Sequence, residues 1–416
     1  MASGIFKKVM FAAASVAMSM GFVGCASSPA SKQPQRATGS YSFWPPPPVE
    51  PRIQFIGTFD SSEDVAPIQT SALESVVFGA DAAKPADVEK PYGVAIRDGK
   101  IYVCDIRAKA LVILDFGKKQ TRIVGATGAN RLERPVAVAV ADDGVIYVAD
   151  GVQQAIYVFG RDERFAMAFS VPGLKPAGIA TYANRLYVSD IKRQGVIVLD
   201  RNTGKETGFV GAVGDEDGQF RLPLGISVDA QGNLYVVDMM RCRVQKFSKD
   251  GAFVSGFGEA GDHVGGFARP KQIAVDSEGI IYVVDSAFQN VQMFDKKYDL
   301  LMHFGAVGAF PGAMSLPVGV AVSDSGLQYF QSFVHPGFQI KRLVVVANQF
   351  GNNKIGVYAL GERKSSYSLA DLRASGNAVS EGVETPSDER LRFQNIGGQE
   401  PDPNADDSAT PPTSLE

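Results

Sequence analysis

A unit that returns six times in phase restricts this chain more than any other feature. PYGVAI begins at Pro91, PVAVAV at Pro135, PAGIAT at Pro176, PLGISV at Pro223, PKQIAV at Pro270 and PVGVAV at Pro317, so the prolines stand 44, 41, 47, 47 and 47 residues apart. A short polar turn follows each (RDGK, ADDG, YANR, DAQG, DSEG, SDSG). In five units a second run comes next, IYVCD, IYVAD, LYVSD, LYVVD and IYVVD, and the sixth has VVVAN at 344–348. A third run (LVILD, IYVFG, VIVLD, VQKFS, VQMFD, IGVYA) and, in five units, a fourth (TRIVG, FAMAF, GFVGA, FVSGFG, LLMHFG) complete the repeat. Runs of four to six apolar, β-branched and aromatic residues between Gly and Asp turns read as antiparallel strands, not helices.

Four strands per unit at this period predict an all-β, six-bladed β-propeller with four-stranded antiparallel blades. The pattern P-x-G-[IV]-A-V, a turn, [IL]-Y-V-x-D, a Val/Ile-rich strand and F-G resembles the NHL repeat over residues 91–361. The sixth unit lacks an outer strand after Leu360, whereas RIQFIGTF at 52–59 is a strand without a unit. Pairing the two would close the ring through an N-terminal strand and remove exposed sheet edges. Residues 61–90 would then cross between blades, with a short helix expected at Ser71 to Phe78.

The amino terminus reads as an address. Lys7 and Lys8 precede an apolar run from Val9 to Gly24, and small residues follow, the layout of a secretory signal peptide. The end of that run, Phe22-Val23-Gly24-Cys25 followed by Ala26-Ser27-Ser28, resembles a bacterial lipobox, although the family pattern prefers Leu where Phe22 stands. The resemblance implies lipidation of Cys25, hence a chain tethered to a membrane and not spanning it. Ala at position 26 implies the outer membrane of a two-membrane host. The expected organisation is a signal peptide at 1–24, a lipidated Cys with a Pro-rich tether at 25–51, a propeller at 52–362 and a disordered acidic tail at 363–416. Trp44, the single tryptophan, reads either as a membrane-interface anchor or as a cap on the propeller rim.

Chemistry is harder to find. The formal net charge of −4 gives no global attraction to nucleic acid, and export argues the same way. The six innermost runs, which would line the axial channel, contain no carboxylate and no histidine, and Gln272 alone cannot hold a divalent cation. His263, His303 and His335 fall in a loop, an outer strand and an insertion, too dispersed for one zinc. Cys104 and Cys242 lie on opposite sides of the ring, so no disulfide is expected. They read as small buried side chains, with a reactive thiol as the other reading for Cys242 beside Arg241 and Arg243. No catalytic residue, metal or cofactor is therefore assigned. Asp105, Asp150, Asp190, Asp238 and Asp285 recur at the end of the second run, either as caps accepting backbone N–H bonds or as a cation-binding ring.

Two surfaces suggest a partner. Lys90, Arg134, Lys175 and Arg269 immediately precede repeat prolines, with Arg221 one residue further back in its unit. Chain direction sets them on the face that carries Arg107, Lys109, Lys192, Arg193, Arg241 and Arg243. Such a basic face is either a docking surface for anions or acidic proteins or a set of partners for the strand-end aspartates. In the sixth unit the usual tight turn is replaced by LQYFQSFVHPGFQIKR at 327–342, expected as a protruding hairpin in which Tyr329, Phe330, Phe333, His335 and Phe338 contact a partner or fold back on the propeller. The function these features imply is a membrane-anchored envelope lipoprotein whose monomeric, non-catalytic propeller binds a protein partner or serves as a scaffold in a cell-envelope complex, with no nucleic-acid partner. The alternative is a metal-dependent propeller enzyme of lyase or lactonase type.

Overall fold

The computed structural model describes residues 41–65 and 87–374. Each repeat folds as one blade. In blade 1 the strands Pro91–Arg97, Lys100–Asp105, Ala110–Asp115 and Gln120–Val124 pair antiparallel in chain order. Blades 2 to 5 repeat this order outward from Pro135–Val140, Pro176–Tyr182, Pro223–Val228 and Pro270–Val275. The composition of each run follows from its place. Second and third strands are covered on both sides by neighbouring blades, so Ile101–Asp105 and Ala110–Asp115 are buried at every position and read as continuous apolar runs. Outer strands such as Phe165–Ser170 are largely exposed and of mixed composition.

The opening P-x-G has a structural reason at each position. Proline has no N–H to give to a ladder, and in all six blades the register slips just after it. The glycine stands where innermost strands of successive blades pass closest. A Cβ on Gly93 would lie 2.7 Å from the Ala137 Cα, and one on Gly178 2.6 Å from the Leu224 carbonyl oxygen. Contacts between innermost strands run from blade to blade and return from blade 6 to blade 1.

Blade 6 has five strands, in the order Pro317–Ser323, Phe338–Asn348, Ile355–Arg363, Ile53–Thr58 and Ser42–Trp44. The register sets Ile53 opposite Leu360 and Thr58 opposite Gly356. Asp60 fastens this seam by accepting the N–H groups of Lys354 (3.1 Å) and Ile355 (2.8 Å). The prolines at 45–48 do not stay extended. They turn the chain so that Ser42–Trp44 pairs with Ile53–Phe55, and the Arg52 N–H donates to the Trp44 carbonyl at 2.8 Å. Trp44 packs beside Tyr358 and Phe304, with ring centroids 5.9 and 6.4 Å away, which makes it a cap on the blade. The folded body therefore begins by residue 41, ahead of the expected start at 52, because Phe43 and Trp44 find apolar partners there. It also runs past 362. Arg363 pairs with Glu50 at 3.2 Å, and Leu372, in the helix Leu369–Ala374, is buried in the core between blades 6 and 1.

Cys25, the signal and tether up to residue 40, the helix expected at Ser71 to Phe78 and the tail from 375 lie outside the described residues. Among those described, no helix is long and apolar enough to cross a membrane.

The antiparallel meander gives the disc two unlike faces. Turns joining first to second and third to fourth strands emerge on one, here the turn face. The loops joining second to third strands, and each outer strand to the next blade, emerge on the other, the loop face.

Candidate binding face

The axis is tight at its loop-face mouth. Where the innermost strands begin, on the loop face, Tyr92, Gly93, Ala177, Leu224, Lys271, Gln272 and Val318 leave about 10 Å³, room for one water molecule. Burial pushes the Tyr92 phenol above its ordinary range against the pull of the Arg134 charge. Burial, and then the charge of Arg269, hold the Lys271 ammonium below its usual value. Tyr92 and Lys271 are the titratable groups at the mouth that sequence reasoning passed over. The signal was present, because the second position of the other innermost strands is Val, Ala or Leu.

The five strand-end aspartates are buried and act as backbone caps. Asp285 accepts the N–H groups of Ala268 (2.7 Å) and Arg269 (3.0 Å) before its blade, and of Ala287 (2.9 Å) and Phe288 (3.1 Å) after its strand. Asp105 and Asp150 bond to the equivalent amides on both sides, and so does Asp190 to Lys175 and Lys192. Asp238 takes Arg221 and Leu222. Four of these carboxylates thus tie the loop entering a blade to the loop leaving its second strand, a wider role than capping one turn, and Asp238 holds the entering loop. In blade 6 Asn348 stands in this place and accepts the Ser315 N–H at 3.2 Å. Among the described residues no cluster of three or more His, Cys, Asp or Glu side chains is arranged to hold a metal ion.

The expected basic face resolves into two populations. Its outer members are paired, but not to the strand-end aspartates. Arg107 meets Glu89 at 2.8 Å, Lys109 meets Glu133 at 2.8 Å and Arg193 meets Glu206 at 2.8 Å. Arg221 and Arg241 share Asp215, whose carboxyl they hold well below the usual range, and Arg243 meets Asp217 at 3.2 Å. Glu206 stands on the outer strand Glu206–Val210 and the other acids come from loops between blades, so the outer zone is close to balanced in charge. The inner members differ. Arg134, Lys175, Lys192 and Arg269, with Lys271 at the mouth, make no ion pair or side-chain hydrogen bond among the described residues. Lys90 lies over the Phe350 ring, 5.7 Å from its centroid.

The blade 6 insertion is not a protruding hairpin. Residues 327–333 form two short 3-10 turns against blade 1, and from Phe338 the chain is already in its second strand. Phe330 and Phe338 are fully buried, and Phe330 packs on Phe116 and Phe59 at 4.4 and 6.2 Å between centroids. Phe333 sits 5.2 Å from Phe59. His335 is buried beside Tyr41, its backbone N–H donates to the Gln54 side chain at 3.1 Å, and burial lowers its pKa. Of the five residues expected to meet a partner, Tyr329 is the exposed one, at 40%. The correction has a physical cause. Strands 42–44 and 53–58 and blade 1 leave an apolar gap beneath the insertion, and filling it removes more aromatic surface from water than a free hairpin allows.

The remaining sequence candidates stay apart. His263 meets Glu259 at 3.1 Å in an exposed loop, and His303 is on an outer strand. Cys104 and Cys242 are both free and buried. Burial raises both thiols, and Arg241 and Arg243 are committed to acids, so nothing activates Cys242.

Comparison with known proteins agrees with this architecture. Residues 225–369 match the DUF5128 family model, described as a 6-bladed beta-propeller. A Bacteroides thetaiotaomicron protein of unknown function is 17% identical and superimposes with a TM-score of 0.51, over 65% of this chain and 70% of its own. A virginiamycin B lyase from Staphylococcus aureus is 11% identical with a TM-score of 0.45, over 69% and 88% of the two chains. Regucalcin from Agrobacterium tumefaciens, a calcium-binding protein, is 11% identical with a TM-score of 0.42, over 66% and 91%. These likenesses concern the fold. The chain is an all-β, six-bladed β-propeller with four-stranded antiparallel blades.

Proposed function

We propose that the protein is an exported lipoprotein of NHL type, anchored through Cys25 to the outer membrane, whose propeller is a non-catalytic platform for a protein partner in the cell envelope. The observation that carries this reading is how little open space the axial mouth leaves for a substrate. Tyr92, Lys271 and Gln272 leave about 10 Å³ at the mouth, and the strand-end aspartates are engaged by backbone amides. A rigid disc with its interior committed in this way offers its outer surfaces for recognition. The Gly24-Cys25 junction supports the anchor, and Ala26 supports the outer membrane.

Two measurements test the reading. Wild type is expected in the membrane fraction carrying a lipid-modified amino terminus, and Cys25→Ser in the soluble fraction. Equal partition of the two would remove the anchor. Crosslinking in intact cells is expected to join the propeller to one envelope protein in stoichiometric yield. Calcium or zinc retained at one equivalent after dialysis would overturn the non-catalytic part of the proposal.

A further inference from the structure

Within the platform reading, on which this inference rests, we propose that the loop face is the docking surface and that it takes a carboxylate-rich protein segment laid across the axial mouth. Two independent observations meet on this face. The first is unspent positive charge near the axis. Lys90, Arg134, Lys175 and Arg269 stand one residue before the prolines of four innermost strands, and Lys271 lies inside the mouth. Every nearby strand-end carboxylate is already turned inward onto amides, and the outer acids are held by outer arginines and lysines. The mutual repulsion of Arg269 and Lys271 is left uncompensated and would be relieved by a bound carboxylate.

The second is apolar. Val152, Val213, Met240, Val264, Val307 and Phe350, all well exposed, lie in loops of this face, whereas among the described residues the loops of the turn face expose two large hydrophobic side chains, Val49 and Tyr329. Apolar tips around unpaired cations, with acids such as Glu89 and Asp215 interleaved at the rim, form the mixed surface of a protein interface. A phosphate backbone or an anionic bilayer would extend over those rim carboxylates, whereas a short segment centred on the mouth meets the cations first. Among the described residues the exposed aromatics here are Phe350, already under Lys90, and Phe209, already under Arg193, which leaves no run of open rings for stacking bases.

The test uses the full chain and, as probe, a fluorescent peptide of paired glutamates separated by single leucines, read by anisotropy. Binding is expected to saturate and to weaken about tenfold when Arg134→Gln, Lys175→Gln and Arg269→Gln are combined, about threefold in Lys271→Gln alone, and to fall with salt. Val264→Ser with Val307→Ser is expected to cost about threefold on this probe and nothing on a leucine-free one. Lys118→Glu with Lys119→Glu, exposed on the turn face, should leave affinity unchanged. None of the substituted cations makes a native ion pair, so an unchanged melting temperature serves as the folding control.

Equal affinity in the triple variant overturns the proposal. So does displacement by millimolar inorganic phosphate as effective as by peptide, which would make the mouth a small-anion site, and so does tighter binding of a single-stranded oligonucleotide. Binding that emerges only after residues 375–416 are deleted would assign the mouth to the chain's own acidic tail and equally overturn it. If the envelope partner crosslinks to wild type and triple variant alike, the platform reading stands and this docking mode falls. If no partner crosslinks to wild type, the platform reading falls and the peptide result alone decides the chemistry of the mouth.

Discussion

On the turn face, Lys100 of blade 1 holds Glu163 of blade 2 at 2.6 Å, and Arg122 meets the same carboxylate at 2.6 Å. Arg201 of blade 3 pairs with Asp143 of blade 2, and Arg342 of blade 6 sits between Asp276 (3.1 Å) and Glu278 (3.0 Å) of blade 5. On the loop face the outer arginines pair with nearby acids while Arg134, Lys175 and Arg269 reach water alone. The same residue types thus serve two ends in one molecule. Where a charge bridges adjacent blades it is partly buried and belongs to the framework. Where it rings the axis it holds nothing together and is available to a partner.

This contrast can be broken by substitution. The largest effect is expected beneath the turn face, where Phe330→Ala should cost about 4 kcal/mol in urea unfolding and Tyr329→Ala under about 1 kcal/mol. Equal, small losses would restore the insertion as a free surface. Next, Arg342→Ala leaves Asp276 buried without its cation and should cost about 3 kcal/mol, read as a lower melting temperature. A third effect belongs to the seam on the loop face. Burial lifts the Asp60 carboxyl from 3.8 to about 6, because desolvation outweighs its backbone hydrogen bonds. The folded state therefore holds this proton more tightly than the unfolded chain does. The resulting stability is complete below pH 3.8 and is lost as pH rises through about 6. Relative to Asp60→Asn, wild type should lose about 2 kcal/mol across that window, and parallel curves would reject the assignment. The smallest effects are expected at Arg134→Ala, Lys175→Ala and Arg269→Ala, each within about 0.5 kcal/mol of wild type by thermal melting. A loss near that of Arg342→Ala would erase the distinction between the faces.

Much of this architecture was legible because repetition makes each position visible several times. The prolines, the inner and second strands and the aspartates at their ends recur at matched places, and backbone capping is a local property that one repeat can reveal. What escaped depends on contacts that sequence spacing does not encode. Phe330 and Phe338 occur once, and whether they are buried depends on the shape of a gap bounded by blade 1 and by strands from the chain's beginning. Arg241 and Asp215 lie 26 residues apart, and only the stacking of a loop on a neighbouring blade brings them together. Lys271 was visible as a residue, but not as one facing the axis, since the bulge after Pro270 sets its direction. The polyproline segment misled for a similar reason: its composition described a spacer, while its aromatic neighbours made it a hairpin.

The joint between Ile53–Thr58 and Ile355–Arg363 also imposes a timetable. Asp60 and the Ile355 amide it holds are 295 residues apart in the chain. At about 5–20 residues per second of synthesis, the first strand waits roughly 15 to 60 s for its partner to exist. Until then five blades can stack in order while their open ends carry bare strand edges. Birth order alone thus makes the last-made blade the one that completes the oldest strand, and a chain interrupted before residue 355 would be left with a permanently open, sticky rim.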